Sequence, residues 1–408
     1  MSQADVVIIG AGLAGLSCGV ALQEAGVSFV ILEASNGAGG RVRTDRLEGF
    51  LLDRGFQVHL SAYPEAQRLL DYGALDLRAF EPGALVEFRG TRHKVVDPWR
   101  KPLEALGTVL NPIGTAADKL RVARVRADVM EGEHGDLFRR PETTTEERLL
   151  GAGFSEAMID RFFRPFFGGI LLDAKLSASS RMFDFVFRMF ACGEAVLPAQ
   201  GMEEIPKQLV SRLKDGSIRF NTPVTGVDEK GVTTAGGGRV EAAAVVIASE
   251  APKATALAPE VAEARSRKVA CYYYSAPEPP IEGAWLLLNG DGSGPINNLA
   301  VPSNVSPAYA PEGRALVSVS VLSETTEPEV RQHLTYWFGT GVSAWRHLRT
   351  YHIRHAQPAV TDVSEEGKSV RVRRGLYVAG DHVTTPSIQG ALVAGSRAAR
   401  AVLDDARD

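Results

Sequence analysis

The chain of 408 residues is poor in cysteine and has no excess of charge of either sign. Its three cysteines, Cys18, Cys192 and Cys271, are far apart and form no CxxC pair. This argues against a disulfide framework or a zinc site, and we expect a reducing, cytoplasmic location. The sequence has 45 Lys and Arg residues and 49 Asp and Glu residues, which give a formal net charge of −4. The charge balance therefore predicts no nucleic-acid partner.

Long apolar runs are also missing. No run of about 18 apolar residues occurs, so the sequence predicts no membrane-spanning helix. The run ADVVIIGAGLAGL starts a fold directly after the first three residues, which argues against a signal peptide. Peripheral contact with a membrane stays open. The hydrophobic fraction of 45% and the charged fraction of 23% are those of a globular protein, and the length suits two domains.

The first 35 residues have the pattern of a strand, a glycine-rich turn, a helix and a second strand. DVVIIG, residues 5 to 10, is typical of a strand buried on both faces. GAGLAG follows with GxGxxG spacing, then a helix that ends near Gly26, then the strand VSFVILEAS. This arrangement predicts a βαβ unit that binds a dinucleotide. The alternative is a glycine-rich turn in another α/β fold.

Each residue type in this unit has a physical reason. Gly10 permits the tight turn, Gly12 lets the backbone approach a pyrophosphate, and Gly15 lets the helix pack closely on the strand. The helix N-terminus offers unpaired N–H groups and a positive dipole to the phosphates. Glu33 can accept hydrogen bonds from a ribose 2′-hydroxyl, and its negative charge disfavours a 2′-phosphate. The predicted site also includes the next residue, Ala34.

Residues 34 to 57, ASNGAGGRVRTDRLEGFLLDRGFQ, resemble the flavin-binding family of monoamine oxidase, protoporphyrinogen oxidase and phytoene desaturase. The resemblance rests on a GGR run, a following threonine and an apolar-Asp-x-Gly run. It implies that Gly39, Gly40 and Arg41 contact the pyrophosphate and the flavin side of non-covalently bound FAD. The residues implied to border the isoalloxazine are Gly55, Phe56 and Gln57. Residues 52 to 75 are most similar to carotene desaturases and hydroxysqualene dehydroxylases.

Residues 375 to 399, GLYVAGDHVTTPSIQGALVAGSRAA, are similar to the C-terminal flavin signature of the same family. The resemblance implies that Asp381 accepts hydrogen bonds from the ribityl hydroxyls and that Gly380 lets the backbone reach the pyrophosphate. Ser387, Ile388 and Gln389 then open a helix whose N-terminal amides point at the flavin, where its positive dipole stabilises negative charge. Two segments at opposite ends of the chain thus hold one cofactor.

The resemblance implies an α/β fold in which a Rossmann-like FAD-binding domain is interleaved with an α+β substrate domain. Residues 1–60, 195–260 and 360–408 are assigned to the FAD-binding domain, and residues 61–194 and 261–359 to the substrate domain. In the family, the residue that corresponds to Val224 lies against the adenine. Residues 217–249 are predicted to form a three-strand meander that feeds a buried strand.

Nine of the seventeen phenylalanines fall between residues 154 and 190. They form either an aromatic wall for an apolar substrate or an ordinary helical core. We identify no catalytic acid or base and no metal site. Lys268 lies near the position where amine oxidases place a lysine, but a surface lysine is the favoured interpretation.

The function that follows is an FAD-dependent oxidoreductase of the oxidase or desaturase type. It takes a hydride from a carbon of an apolar, isoprenoid-like substrate to flavin N5, and a second acceptor, oxygen or a quinone, reoxidises the flavin. The alternatives are an amine oxidase and a non-catalytic escort protein of the same fold, like the Rab GDP-dissociation inhibitors.

Overall fold

A computed structural model describes residues 2–104, 107, 111–359, 363 and 367–407. The strands are β1 Ser2–Ile9, β2 Phe29–Leu32, β3 Thr44–Leu47, β4 Phe50–Asp53, β5 His59–Leu60, β6 Leu77–Ala79, β7 Gly83–Phe88, β8 Thr91–Val96, β9 Ala195–Pro198, β10 Ile218–Arg219, β11 Val224–Asp228, β12 Gly231–Thr234, β13 Arg239–Ile247, β14 Ser266–Ala276, β15 Leu286–Asn289, β16 Ile296–Ala300, β17 Ala315–Val321, β18 Arg346–Pro358, β19 Arg371–Arg373 and β20 Leu376–Val378. The helices are α1 Leu13–Glu24, α2 Pro64–Leu69, α3 Tyr72–Leu75, α4 Ala116–Met130, α5 Thr145–Gly151, α6 Glu156–Met158, α7 Arg164–Leu171, α8 Ser180–Cys192, α9 Glu204–Ser211, α10 Ala251–Leu257, α11 Pro302–Val305, α12 Glu327–Phe338 and α13 Ile388–Asp405.

The first sheet has parallel strands from both ends of the chain. β1 pairs in parallel with β2 and β13, β10 continues the sheet beyond β2, and β20 pairs in parallel with β13. The apolar residues Val6–Ile9 of β1 are fully buried, as expected for a strand covered on both faces. The predicted βαβ unit is therefore present, and the N-terminal and C-terminal segments meet in one sheet.

The meander predicted for residues 217–249 is only partly correct. β11, β12 and β13 form an antiparallel meander, but β10 pairs with β2 at the other edge of the sheet. The reason is that residues 220–223 cross the end of β2. There the Asn221 N–H donates to the Ser35 carbonyl at 2.9 Å, and the Thr222 N–H donates to the Glu33 carbonyl at 2.8 Å. The crossing leaves Val224 beside the carboxyl end of β2.

Helix α13 packs on α1 through small side chains. A Cβ atom at Gly395 would lie 2.0 Å from Ser17 Oγ and 2.1 Å from the Ala14 carbonyl oxygen. The Ser17 hydroxyl donates to the Leu392 carbonyl at 3.0 Å. The small residues of the C-terminal helix therefore serve close helix–helix approach, which brings the N-terminus of α13 beside the glycine turn.

The second sheet has the order β18–β14–β17–β16–β15–β7–β8. Its side chains alternate between two faces. On one face Tyr272 and Tyr274 of β14 pack in a core with Leu334 and Trp337 of α12. On the other face Tyr273 joins the larger core that includes the first sheet. We propose that the two sheets mark the two predicted domains. The boundary predicted at residue 360 lies outside the described residues.

A small third sheet, β5–β9–β6, contains a buried histidine, His59. Nε2 of His59 lies 2.9 Å from the Tyr72 hydroxyl, and Nδ1 is buried without a hydrogen-bond partner. Burial disfavours the imidazolium form and lowers the pKa of His59 from 6.5 to about 4. His59 is therefore neutral in the folded protein at pH values where it is protonated in the unfolded chain.

We expect this histidine to make stability depend on pH. Because the folded-state pKa is depressed, the unfolded chain binds the extra proton between pH 6.5 and about 4, and the stabilisation is lost as pH falls through that window. The total is about 3 kcal/mol for a shift of this size. The variant H59Q, whose amide can still bond to Tyr72, should show a flatter pH dependence in urea unfolding between pH 4.5 and 7. Equal slopes for H59Q and the parent protein would contradict the prediction.

Candidate active site

The glycine turn after β1 is shaped by close backbone contacts. Gly10 has φ +104°, and a Cβ there would lie 2.8 Å from the Ala248 carbonyl oxygen of the neighbouring strand end. A Cβ at Gly15 would lie 2.0 Å from the Gly10 carbonyl oxygen. At Gly12, in contrast, a Cβ would meet no atom within 4 Å. Gly10 and Gly15 thus serve the fold, whereas Gly12 faces open space.

That open space lies at the N-terminus of α1. Gly12 is the N-cap residue of α1, and no side chain caps the helix. The N–H groups of the first turn are therefore available to an anion, and the helix dipole favours negative charge there. Gly39 lies across from Gly12, with its N–H donating to the Ala11 carbonyl at 2.8 Å. Gly39 and Gly40 have φ angles of +112° and +61°, which side chains rarely adopt.

Glu33 lies at the end of β2 against the glycine turn. Its Oε2 accepts a hydrogen bond from the Ala11 N–H at 2.7 Å, and its Oε1 accepts one from the Ser35 N–H at 2.8 Å. A carboxylate has about four acceptor positions, so it retains capacity for sugar hydroxyls. Glu33, Ala34 and Val224 line the same large cavity.

Arg41 and Asp381 join the two ends of the chain at this cavity. Nη2 of Arg41 lies 2.7 Å from Oδ1 of Asp381, and Nη1 donates to the Ala356 carbonyl at 2.8 Å. Burial opposes the charge of Arg41, but the interaction with Asp381 outweighs it and raises the pKa of the guanidinium. Gly380 has φ +157°, and a Cβ there would lie 2.6 Å from the His382 ring. The ion pair of Arg41 with Asp381 therefore presents a fixed hydrogen-bond donor and a fixed acceptor at the cavity wall.

The loop after β4 supplies Gly55, Phe56 and Gln57 to the cavity wall. Gln57 Nε2 donates to the Arg41 carbonyl at 2.8 Å, which fixes the loop to the GGR segment. Asp53, just before the loop, is buried behind it.

Asp53 anchors this loop. It accepts hydrogen bonds from the Thr44 hydroxyl at 2.5 Å, the Met202 N–H at 3.0 Å and the Tyr309 hydroxyl at 2.8 Å. Burial raises the pKa of Asp53 to about 6 despite these donors. The acid of the apolar-Asp-x-Gly run thus positions the loop and does not line the cavity.

The predicted site residues come together almost completely. Those that line the cavity are Gly10, Gly12, Glu33, Ala34, Gly39, Gly40, Arg41, Gly55, Phe56, Gln57, Val224, Gly380, Asp381, Ser387 and Ile388. Two do not. Gly15 packs against the turn, and Oε1 of Gln389 accepts a hydrogen bond from the Glu65 N–H at 3.0 Å, which ties α13 to α2. Ser387 is the N-cap of α13 and accepts from the Gly390 N–H at 3.0 Å.

The cavity has a volume of about 800 Å³ and continues into an apolar chamber. The π-helical turn Ile159–Phe163, with α7 and α8, supplies the aromatic wall of this chamber. The phenylalanines that line it are Phe162, Phe163, Phe166, Phe167, Phe187 and Phe190. Phe154, Phe183 and Phe185 lie in the core behind them. The cluster is therefore partly cavity wall and partly core.

Several lining residues carry no sequence signal for this role. Phe80, Val95 and Val96 of the β7–β8 region complete the chamber wall. Arg100 and Arg126 also line the cavity and donate to the last carbonyls around the end of α8, including that of Ala191. These residues reach the cavity wall only because segments distant in the sequence meet in the folded protein.

Three kinds of feature are not found in the described part of the chain: a cavity-lining lysine at position 268, a metal site and a membrane-spanning helix. Lys268 is exposed, lies 2.6 Å from Glu324 and does not line the cavity, as the surface interpretation predicts. Among the described residues, no group of three His, Cys, Asp or Glu side chains is placed to hold a metal ion. No helix among them has the length and apolar character needed to cross a membrane.

These features fit a dinucleotide with a planar ring system. An uncapped helix N-terminus, open space at Gly12, a carboxylate at the end of β2 and a donor–acceptor pair line one continuous cavity. A parallel sheet with such a glycine turn, together with an adjoining apolar chamber, defines a dinucleotide-dependent oxidoreductase.

A family model described as flavin containing amine oxidoreductase matches residues 13–403. The chain therefore belongs to this family, and it is an FAD-dependent oxidoreductase. The family assignment confirms the cofactor and enzyme class predicted from the sequence, and an enzyme rather than an escort protein is the correct alternative.

Two curated relatives share parts of the sequence. The 15-cis-phytoene desaturase of an Oncidium hybrid cultivar is 39% identical over 171 residues, which are 39% of this chain and 29% of that protein. Protoporphyrinogen oxidase 2 of Arabidopsis thaliana is 33% identical over 71 residues, which are 17% of this chain and 14% of that protein. The matches span less than a third of the length of either relative.

Solved structures match along the whole chain. An oxidoreductase from Methanosarcina mazei gives a TM-score of 0.73 at 15% identity, covering 98% of this chain and 100% of that one. Putrescine oxidase bound to putrescine gives a TM-score of 0.71 at 18% identity, covering 98% and 99%. At these identities the likeness shows the fold, and it confirms a Rossmann-like FAD-binding domain combined with a substrate domain.

Proposed function

We propose that this oxidoreductase takes a hydride from a carbon atom of a largely apolar, isoprenoid-like molecule. The observation that carries the proposal is the chamber walled by six phenylalanines and continuous with the cavity that contains the predicted cofactor-binding residues. An apolar chain gains about 25 cal/mol for each Å² buried against such a wall. A phytoene desaturase among the relatives supports the same substrate class.

In this proposal the cofactor is bound non-covalently along the cavity. The N-terminus of α1, with Gly12 and Gly40, would hold the pyrophosphate, and Glu33 would accept a hydrogen bond from the adenosine ribose. Asp381, which is paired with Arg41, would accept hydrogen bonds from the ribityl hydroxyls. None of the three cysteines lines the cavity.

When bound, FAD supplies the two-electron acceptor for the hydride. The chain contributes position and shielding. The aromatic wall excludes water and orients the substrate, and the N-terminus of α13 places positive dipole near the isoalloxazine. We assign no protein residue as acid or base, and Lys268, near the position where amine oxidases place a lysine, is at the surface.

Amine oxidation is the second candidate, and one observation favours it. The rings of Phe167 and Phe187 line the chamber in parallel, with centroids 6.5 Å apart and an interplanar angle of 1°. Aromatic ring faces of this kind attract the positive charge of an amine. The two candidates therefore need a direct comparison with substrates of each class.

The purified holoenzyme should be mixed anaerobically with 15-cis-phytoene or squalene in detergent, and separately with putrescine or benzylamine. We expect the visible flavin band to bleach with an isoprenoid and to persist with both amines, because the phenylalanines of the chamber offer an apolar chain a wall to bury against. Bleaching by an amine alone would replace the proposed function by amine oxidation. Reoxidation of the bleached enzyme by oxygen or by a quinone then identifies the electron acceptor.

A matched pair of variants tests the role of the wall. F187L changes a ring that lines the chamber, whereas F185L changes a core ring two residues away that packs on Tyr63 and Phe138. We expect F187L to slow bleaching and F185L to lower stability without slowing bleaching in the folded fraction. A cytoplasmic location and peripheral membrane contact stay predictions from the sequence.

A further inference from the structure

The apolar chamber also contains a pair of polar side chains. Asn298 of β16 and Ser320 of β17 both line the cavity, although their residues are only 4% and 6% exposed. The two residues are direct partners in the antiparallel pairing of these strands, so their side chains lie on the same face of the sheet. Two buried polar groups therefore lie side by side in a surface that is otherwise mainly apolar.

The hydrogen bonds around Asn298 fix its orientation. Asn297 Nδ2 donates to the Pro165 carbonyl at 2.9 Å and to Asn298 Oδ1 at 2.9 Å. Since Oδ1 of Asn298 is the acceptor of this bond, its Nδ2 is the end left for another partner. Neither Asn298 Nδ2 nor Ser320 Oγ has a hydrogen-bond partner among the described residues.

The neighbouring helix approaches this pair closely. A Cβ at Gly169 of α7 would lie 3.0 Å from Asn298 Oδ1 and 2.8 Å from Asn297 Nδ2. A glycine here lets α7 pack on β16 without displacing the two amides. The orientation of Asn298 is therefore held by packing as well as by hydrogen bonds.

We propose that Asn298 Nδ2 and Ser320 Oγ together bind one uncharged oxygen atom, a hydroxyl or a carbonyl, of an otherwise apolar substrate. Both polar groups face the chamber, where an apolar ligand would displace their water, so a ligand that carries such an oxygen is favoured over a pure hydrocarbon. The groups are neutral and do not compensate a carboxylate. The inference rests on the proposed function and refines it, because a fixed oxygen determines which substrate carbon faces the flavin.

The test uses the holoenzyme and two probes with the same carbon skeleton. Geranylacetone is an uncharged isoprenoid ketone, and its counterpart is the diene that lacks the ketone oxygen. Binding is measured by isothermal calorimetry and by the shift of the flavin absorbance spectrum. We expect N298L to weaken the binding of geranylacetone about 10-fold and S320A about 3-fold, because each variant loses one hydrogen bond to the ketone oxygen. Neither variant should weaken the diene.

S318A is the matched control, because Ser318 lies on the same strand two residues away, contacts Cys271 and does not line the cavity. It should bind both probes like the parent protein. S320A removes a single oxygen atom and keeps the test decisive if N298L does not fold.

The outcomes separate the two levels of the proposal. If ketone and diene bind the parent protein equally, or if both variants weaken both probes in parallel, the polar pair is not an oxygen site and the proposed function stands. If neither probe binds the parent protein, this inference fails, and the bleaching test with 15-cis-phytoene and squalene decides the proposed function separately.

Discussion

Replacing Gly12 by valine should abolish FAD binding at concentrations that saturate the parent protein, while the apoprotein remains folded. Gly12 has φ −72° and ψ 176°, a conformation open to any residue, and a Cβ there meets no protein atom within 4 Å. The side chain would instead fill the space at the N-terminus of α1 that we assign to the pyrophosphate. We expect an affinity loss of about 100-fold or more, at least ~2.7 kcal/mol of binding free energy.

Two further glycine variants make this result specific. G15V should not fold, because its Cβ would lie 2.0 Å from the Gly10 carbonyl oxygen. G236V lies in open space in the turn between β12 and β13 and should change neither folding nor FAD binding. FAD titration by fluorescence and thermal melting with and without FAD measure the two effects separately. FAD affinity of G12V equal to that of the parent would show that the cofactor lies elsewhere.

Truncation of Glu33 or Asp381 should weaken FAD binding roughly 10- to 150-fold, because each removes a charged acceptor whose hydrogen bonds are worth about 1.5–3 kcal/mol. D381A also leaves Arg41, which is 2.7 Å away, without its carboxylate. E33A frees the Ala11 N–H at the glycine turn. Both effects act at the same cavity from opposite ends of the chain.

D228A serves as the control for these variants. Asp228 also pairs with an arginine, Arg239, at 2.6 Å, but it does not line the cavity. FAD titration of the three apoproteins should separate D228A, which should bind FAD like the parent, from E33A and D381A. Parent-like affinity in both E33A and D381A would place the adenosine and ribityl ends of FAD outside the predicted positions.

The sequence by itself determined the parts of this protein that depend on local backbone requirements. The spacing of Gly10, Gly12 and Gly15 and the acid at the end of the next strand follow from the geometry of a βαβ unit. These requirements hold whatever the rest of the chain does. Together with the resemblance to the flavin-binding family, they predicted fifteen of the residues that line the cavity, including Asp381.

Tertiary structure alone decided the substrate end, because helical and strand periodicity indicate which residues share a face but not what that face meets. Phe187 faces the chamber and Phe185, two residues earlier, faces the core. Gln389 turns away from the predicted flavin position to bond with Glu65. Asn298 and Ser320 become neighbours only through the pairing of β16 with β17. These positions depend on packing between segments distant in the sequence, which no local pattern records.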